Sequence, residues 1–317
     1  MSTTSTPAGL SIRGNPSGLT SLNKKSRPTE KIVLGIFRVA SLLTVLITAA
    51  ILVALAVPSF SFFAEVPLFE FLFGTRWAPQ FAGASFGVIP LVTATAWTTV
   101  IALSVAVPFG LGAAVFLSEY AHPRVRRTLK PILEILAGIP TVVYGYFALI
   151  FVQTVVFREW LQLPTESFSV LSAGVVMGVM IIPTIASISE DAMSAVPMAM
   201  RQGSAALGAN RMQTTLRVVF PAALSGIIAA VVLGVSRAVG ETMIVAIAAG
   251  QQARIVGNPL ELGQTMTGFI ANAALGDNRV GSLEYNTLYA VGLLLFAITL
   301  LMNWISIAVV RRFREAY

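Results

Sequence analysis

The sequence contains no cysteine, and its 317 residues include a single histidine, His122. Disulfides, thiolate metal sites and cysteine nucleophiles are therefore excluded. With one histidine, the chain also has almost no residues from which to build a Ser-His-Asp triad or a site with several histidine ligands. Lysine occurs only at Lys24, Lys25, Lys31 and Lys130, and never directly after a glycine. Because a phosphate-binding P-loop needs a Gly-Lys pair, we expect no ATP hydrolysis, no catalytic residue and no metal or other cofactor on this chain.

Charged residues are also scarce, at 11% of the sequence against 56% hydrophobic residues, and the mean hydropathy is +0.82. A soluble domain carries about 25% charged residues. The composition therefore excludes an ordinary soluble enzyme and a disordered chain, and it indicates a membrane protein. The net charge is +7, but no basic patch is interleaved with stacking aromatic residues, so we expect no nucleic-acid partner.

Six apolar stretches are long enough to cross a bilayer, since about 20 helical residues span a hydrocarbon core of roughly 30 Å. Backbone groups in lipid must be paired within the protein, which favours helices, and the alternating ten-residue segments of a membrane barrel are not seen. The sequence therefore predicts an all-α membrane protein with six transmembrane helices. The spans cover about residues 32–57, 86–117, 129–157, 170–188, 222–249 and 285–310.

Residues 1–30 are polar, rich in Ser, Thr, Gly and Pro, and lack a small-residue cleavage site after a short apolar core. We expect a disordered cytosolic tail rather than a signal peptide, followed by a six-helix domain over residues 31–317. Lysine and arginine are distributed unequally: 16 fall on the side of the two termini, 4 on the opposite side, and Arg237 lies within a span. By the positive-inside rule, both termini face the cytosol.

The fifth span contains two charged residues, Arg237 and Glu241. A spacing of four places both on one face of a continuous helix. A charge at the bilayer centre costs at least about 2.5–3.5 kcal/mol, so such residues face each other, a partner or a cavity. Two interpretations remain open at this point. The two residues form a structural pair that neutralises itself or locks the chain to a neighbour, or they line an anion pathway.

The pathway interpretation has a specific chemistry. Arg237 presents a planar fork of donors that matches an oxyanion bidentately. Glu241 repels an anion unless the anion itself donates a proton, and an ionised carboxylate accepts such a hydrogen bond. Phosphate retains a proton at neutral pH and sulfate does not, so this pair favours a protonated oxyanion.

The loop between the fourth and fifth spans, residues 189–221, is too polar to cross a membrane and carries apolar residues at helical spacing. It resembles the coupling loop of ABC importer permeases, whose pattern is EAA, three residues, Gly, nine residues and I-x-L-P. The resemblance implies a helix that fits into a cleft on a separate ATPase. The acidic residue of the consensus is a glutamine here. The matching positions are Gln202, Gly203, Ser204, Gly208, Val218, Phe220 and Pro221.

Three further stretches resemble the PstC-type permeases of phosphate-specific ABC importers: FLFGTRWAP at 71–79, LEILAGIPTVVYGYFAL at 133–149 and SRAVGETM at 236–243. The resemblance covers about residues 31–313. It implies a type I ABC importer permease of the inner membrane that forms half of a phosphate pathway. It also implies that Arg237 and Glu241 are important for translocation.

The same resemblance implies the partners of the chain. They are a second permease of PstA type, a dimer of PstB-type ATPases that binds ATP and magnesium, and an extracytoplasmic phosphate-binding protein of PstS type, with membrane lipid around the helices. Two other functions remain open: a permease for another oxyanion such as sulfate or molybdate, and a secondary transporter that needs no ATPase. A scaffold without a transport role leaves Arg237 without a purpose in the membrane.

Overall fold

The structure is a computed structural model that describes residues 28–81 and 83–312. The predicted tail, residues 1–30, therefore lies outside the described residues except for its last three positions, which begin the first helix. The described chain forms two units, one ending at Leu52 and the other beginning at Val53. Of the described residues, the first unit contains only the initial part of the long first helix, and the contacts discussed below belong to the second unit.

The described residues are almost entirely helical. Three of the helices continue as π-helical turns: α3 through Phe116–Tyr120, α5 through Phe147–Trp160 and α8 through Thr215–Val219. Two short antiparallel strands, β1 (Trp77–Ala78) and β2 (Ser85–Phe86), pair Trp77 with Phe86. The helices are α1 (Pro28–Glu65), α2 (Leu68–Phe73), α3 (Ile89–Val115), α4 (Pro123–Ala137), α5 (Thr141–Tyr146), α6 (Val170–Ser194), α7 (Met198–Ala206), α8 (Arg211–Thr214), α9 (Phe220–Ala222), α10 (Leu224–Val239), α11 (Met243–Ala248), α12 (Met266–Leu275) and α13 (Leu283–Arg312).

Five helical segments of the described chain are long and apolar enough to cross a membrane. A sixth is obtained if Arg211–Ala222 and Leu224–Val239, which meet at a bend of 71°, count as one span. This confirms the all-α membrane architecture that the sequence predicts. The five segments are Lys31–Glu65, Ile89–Tyr120, Thr141–Trp160, Val170–Ser194 and Leu283–Arg311.

The third predicted span, residues 129–157, is divided in the structure. Helix α4 ends at Ala137, and α5 begins at Thr141 after Pro140. Proline has no N–H to donate and restricts the residue before it, so a helix ends readily at this point. The Tyr144 hydroxyl donates to the carbonyl of Leu136 across the break at 3.0 Å. The membrane-crossing part is therefore 141–160, and α4 is a separate helix.

The fifth predicted span, residues 222–249, is also divided, because α10 ends at Val239 and α11 begins at Met243. The fourth span, by contrast, is longer than predicted. Helix α6 continues to Ser194, so the first six residues of the predicted 189–221 loop belong to it. Apolar composition predicts where a chain can be buried in lipid, but it does not indicate where the helix within that stretch is interrupted.

Helix α6 lies at the centre of the second unit and contacts α3, α4, α5 and α10. Several of its large apolar side chains, including Met177, Met180 and Ile181, are completely buried. Glycines bring α3 and α6 close together, because a Cβ at Gly178 would lie 2.7 Å from the carbonyl oxygen of Ala102. Small residues at such crossings allow membrane helices to approach and pack. The functional groups on α6 are thus held in place by a tightly packed neighbour.

Aromatic residues anchor the first loop of the second unit, which contains the GTRWAP segment. Trp77 is buried and lies edge-to-face on Phe269 of α12, with ring centroids 4.9 Å apart. Phe62 contacts Phe71 and Phe86 in the same manner, at 5.6 and 5.4 Å. Trp77 is therefore part of a packed cluster rather than an exposed interfacial anchor.

The α3–α6 contact generates a stability prediction. Gly178→Ala places a methyl group against a backbone carbonyl, and overpacking of this kind costs about 1–3 kcal/mol. Gly112→Ala is the matched control, since Gly112 lies on α3 and a Cβ at this position would have no atom within 4 Å. We expect a lower melting temperature for purified Gly178→Ala and an unchanged or slightly higher one for Gly112→Ala. Equal melting temperatures for the two variants would contradict the close crossing.

Candidate functional site

Arg237 lies in the last turn of α10, half-buried, and faces α6. Its Nη1 donates to the Thr184 hydroxyl at 3.1 Å. The two helices approach closely here, since a Cβ at Gly234 of α10 would lie 3.0 Å from Ile185 Cδ1 of α6. Thr184 is close to the middle of α6, which places the guanidinium group far from both ends of that helix.

Glu241 lies beyond the end of α10, and its carboxylate caps the next helix. One of its oxygens, Oε1, accepts from the backbone N–H groups of Met243 at 3.1 Å and Ile244 at 3.3 Å. The Thr267 hydroxyl of α12 donates to the Glu241 carbonyl at 2.6 Å. The residue is 8% exposed. Its side chain is therefore held by α11, and its backbone contacts both α10 and α12.

The self-neutralising pair, which is part of one of the two interpretations that the sequence leaves open, is not formed. Within the described residues, no carboxylate lies within 4.0 Å of the Arg237 guanidinium. The reason is the interruption after Val239, because the two residues share one helix face only if the helix continues. Arg237 has five N–H donors, and the described chain supplies one acceptor, the Thr184 hydroxyl. The arrangement leaves most of the donors for water or an anion.

The predicted coupling loop is folded as two short helices joined by a tight turn. Gln202 and Gly203 are exposed on α7. Gly208 follows that helix with φ +84°, and no atom lies within 4 Å of a Cβ placed there. The glycine is therefore required by its left-handed backbone conformation and not by close packing. Asn210 and Gln213 then form a capping box that begins α8.

The remaining predicted loop positions lie on both sides of this turn. The Ser204 and Thr214 hydroxyl groups are 2.9 Å apart and join α7 to α8. Val218 lines a cavity of about 490 Å³ between the two helices. Phe220 packs against the cluster around Met193, and Pro221 is the second residue of α9. The structure thus brings Ser204, Gly208 and Val218 together around one cavity and leaves Gln202 and Gly203 on the outside.

Apolar side chains are exposed along the coupling loop. Leu207, at the turn, is 90% exposed, and Met198, Met212 and Leu216 are more than half exposed. Exposed apolar patches are typical of interaction sites. The patch lies on the segment whose sequence resembles a docking helix.

Arg201 connects α7 to the rest of the bundle. It forms an ion pair with the buried Glu119 in the π-helical turn after α3. Its Nη2 also donates to the Met193 carbonyl near the end of α6 at 2.7 Å. Arg201 therefore links α7 to the turn after α3 and to the end of α6. Sequence reasoning did not find this contact, because the partners are 82 residues apart.

Glu190 on α6 holds α4 in place. It is completely buried, forms ion pairs with Arg126 and Lys130 of α4, the second at 2.8 Å, and accepts from Ser194 at 3.0 Å. Asp191 also contacts Lys130 at 2.5 Å. Hydrogen bonds to Asp191 first and Glu190 second raise the pKa of Lys130 above its ordinary value.

The opposite end of the unit carries another ion pair, outside the spans. Arg254 Nη2 lies 2.6 Å from Glu166 Oε1, and the Leu262 amide donates to the other oxygen at 3.2 Å. The hydrogen bond from Arg254 holds the pKa of the Glu166 carboxyl below its usual value. This contact joins the loop before α6 to the loop before α12.

Sequence reasoning found Arg237 and Glu241 but missed Thr184, Glu190 and Glu119. One feature of the sequence could have indicated Thr184, since it is a polar residue beside Pro183 inside an apolar stretch. Glu190 falls in the predicted loop 189–221, whereas helix α6 extends through this position to Ser194. In the described part of the chain, no cluster of three or more His, Asp or Glu residues is arranged to hold a metal ion.

Known proteins resemble this chain in sequence and in fold. Residues 106–315 match the model of a family described as the binding-protein-dependent transport system inner membrane component. The probable ABC transporter permease protein YqgH of Bacillus subtilis is 37% identical over 242 residues, which cover 76% of each protein. The phosphate transport system permease protein PstC of Haemophilus influenzae is 32% identical over 295 residues, covering 87% of this chain and 91% of that protein.

Among solved structures, the chain is similar to a chain of a bacterial alginate ABC transporter in complex with an alginate pentasaccharide-bound periplasmic protein. The TM-score is 0.64 at 15% identity, covering 92% of this chain and 99% of that chain. At this identity the likeness shows the fold, which is that of an ABC importer permease.

Glu190 and Asp191 provide a matched pair of variants. Glu190→Gln leaves Arg126 and Lys130 without their buried partner. We expect the free energy of unfolding to fall by about 3 kcal/mol, which is the lower end of the range for a broken buried ion pair. The lower end applies because both cations reach solvent. Asp191 is 62% exposed, so Asp191→Asn should cost about 0–1 kcal/mol. Denaturant unfolding of the full chain in detergent measures both. Similar losses for the two variants would show that burial of Glu190 does not set its contribution.

Proposed function

The chain belongs to the family of binding-protein-dependent transport system inner membrane components, and we propose that it is the permease subunit of an ATP-driven importer of inorganic phosphate, in which it forms half of the translocation pathway. It is a multi-pass membrane protein and a transport subunit rather than an enzyme. Its relatives named PstC support phosphate as the cargo. The observation that carries the proposal is Arg237, a half-buried cation with a hydroxyl partner and no carboxylate partner among the described residues.

The local chemistry favours a protonated oxyanion. The Arg237 guanidinium offers bidentate donors to phosphate oxygens. In Glu241 both backbone hydrogen bonds are made by Oε1, so Oε2 is available to accept from a phosphate O–H. Since the two side chains do not pair with each other, the cation and the acceptor can act on the same anion. Sulfate at neutral pH cannot use the acceptor.

The mechanism is alternating access driven from the coupling loop. Binding and hydrolysis of ATP on a partner displace α7, and Arg201 carries that displacement to Glu119 and to the Met193 carbonyl. Thr184 lies nine residues from Met193 on α6, about 14 Å at the rise of an α-helix. Movement of α6 therefore changes the position of the hydroxyl that contacts Arg237. The two helices then expose the guanidinium group to one side of the membrane or the other.

The partners follow from this role. Membership of the family implies an ATPase and an extracytoplasmic binding protein, and we assign these as a PstB-type dimer and a PstS-type phosphate-binding protein, with a PstA-type second permease. ATP and magnesium bind to the ATPase. The positive-inside distribution of lysine and arginine supports cytosolic termini, with the coupling loop on the same side.

Phosphate uptake by cells carrying Arg237 variants tests the pathway. We expect Arg237→Gln to lower uptake about 10–100-fold, since a lost charged hydrogen-bond donor costs about 1.5–3 kcal/mol, and Arg237→Lys to restore part of it.

Thr184→Val should raise the phosphate KM, whereas Thr184→Ser, which keeps the hydroxyl, should not. Unlabelled sulfate should not compete.

Co-purification of the partner permease and the ATPase shows that each variant still assembles. Unchanged uptake by both Arg237→Gln and Glu241→Gln would remove these residues from the pathway. Equal competition by sulfate would assign a different oxyanion.

The coupling loop has its own test. We expect Leu207→Asp to abolish co-purification of the ATPase, because the charge disrupts an apolar contact without affecting the folded chain. Leu275→Asp is the control, since Leu275 is 88% exposed on α12, far from the loop. Retention of the ATPase and of phosphate uptake by Leu207→Asp would exclude this surface as the docking site.

A further inference from the structure

Helix α4 is amphipathic, and none of its residues is buried. It lies between the end of α3 and the membrane-crossing segment 141–160, from which only the break at 138–140 separates it. Ile135 is 71% exposed. Helices with a basic face and an apolar face lie at the boundary between lipid headgroups and acyl chains. The exposed apolar side chains of α4 are Val125, Leu129, Ile132, Ile135 and Leu136.

A cavity of about 650 Å³ adjoins the helix; we call it the α4 cavity. It is bounded by the end of α3, by α4 and by the start of α8, and one carboxylate, that of Glu134, lines it. Its wall is otherwise strongly basic. The cations that line it are Arg126, Arg127, Lys130 and Arg211.

These four cations differ in their partners. Arg126 and Lys130 are paired with Glu190. Arg127 and Arg211 have no carboxylate within 4.0 Å in the part of the chain that the structure describes, and the Arg211 guanidinium lies 5.4 Å from the centre of the Tyr120 ring. Two arginines from different helices therefore face one cavity with unused donors.

We propose that the α4 cavity binds the phosphate headgroup of an anionic phospholipid, with Arg127 and Arg211 as the principal ligands and the apolar side of α4 against the acyl chains. Arginine matches a phosphate with bidentate hydrogen bonds. Basic cavities between helices on the cytosolic side of membrane proteins suit such headgroups. A soluble anion satisfies the arginines but leaves the apolar side chains exposed to water, whereas a phospholipid satisfies both. The site is independent of the cargo that the pathway carries.

The test uses the complete transporter, purified in detergent, and measures retained lipid by native mass spectrometry. Phosphatidylglycerol is titrated against phosphatidylcholine. We expect preferential binding of phosphatidylglycerol. The double variant Arg127→Gln, Arg211→Gln should weaken it about 30-fold, since each cation near an anionic surface contributes about 1 kcal/mol. The charge-conserving variant Arg127→Lys, Arg211→Lys should keep most of the preference for phosphatidylglycerol. This result would show that the double change to glutamine does not act through misfolding.

Arg124→Gln is the matched control, because Arg124 lies on the same helix, is exposed and does not line the cavity. An equal loss with Arg124→Gln would overturn the site in favour of general attraction to positive charge. Displacement of the lipid by excess inorganic phosphate would assign the cavity to a soluble anion. Equal binding of the two lipids would show that the cavity is not a headgroup site.

Discussion

Helix α6 can act as a single rigid element because α3 packs directly against its backbone. Gly174 and Gly178 allow this approach, since a Cβ at either position would lie within 3.0 Å of α3. Interiors packed at this density transmit displacement rather than absorb it. The polar groups on α6 therefore belong to a helix that is packed firmly against α3.

Three such groups lie within ten residues of one another. The Met193 carbonyl receives Arg201 from the coupling loop, Glu190 holds α4, and Thr184 contacts Arg237. The order along the helix is also the order from the end that we propose faces the ATPase towards the middle of the bundle. Coupling over such a distance requires an element with two positions that both sites bias, and in the proposed mechanism α6 is that element.

The sequence predicts structure well where a single property of the residues, such as hydrophobicity or the backbone freedom of glycine, determines the local conformation. Apolar runs predicted the membrane architecture, because lipid imposes burial on every residue of a span. The loop pattern located Gly208, whose backbone conformation only glycine adopts readily. Composition did not show that α10 ends at Val239, since Glu241, Met243 and Ile244 are compatible with either a continued helix or a capped new one. The capped new helix is formed because the Glu241 carboxylate accepts hydrogen bonds from backbone N–H groups. Such a contact produces no periodic pattern in the sequence. Glu190 and Arg201 were missed for the same reason, as their partners lie on other helices.

The interruption between α10 and α11 changes the meaning of the charge pair. In a continuous helix, Arg237 and Glu241 neutralise each other, and an incoming anion must break that pair before it can bind. With the helix interrupted, the backbone of α11 stabilises the carboxylate and the Thr184 hydroxyl orients the guanidinium group, so each charge is held without the other. In the pathway that we propose, a protonated oxyanion meets a donor fork and an acceptor that are already separated. Backbone and hydroxyl groups offset part of the energetic cost of the two charges, and the arginine remains available to an anion that must be released again.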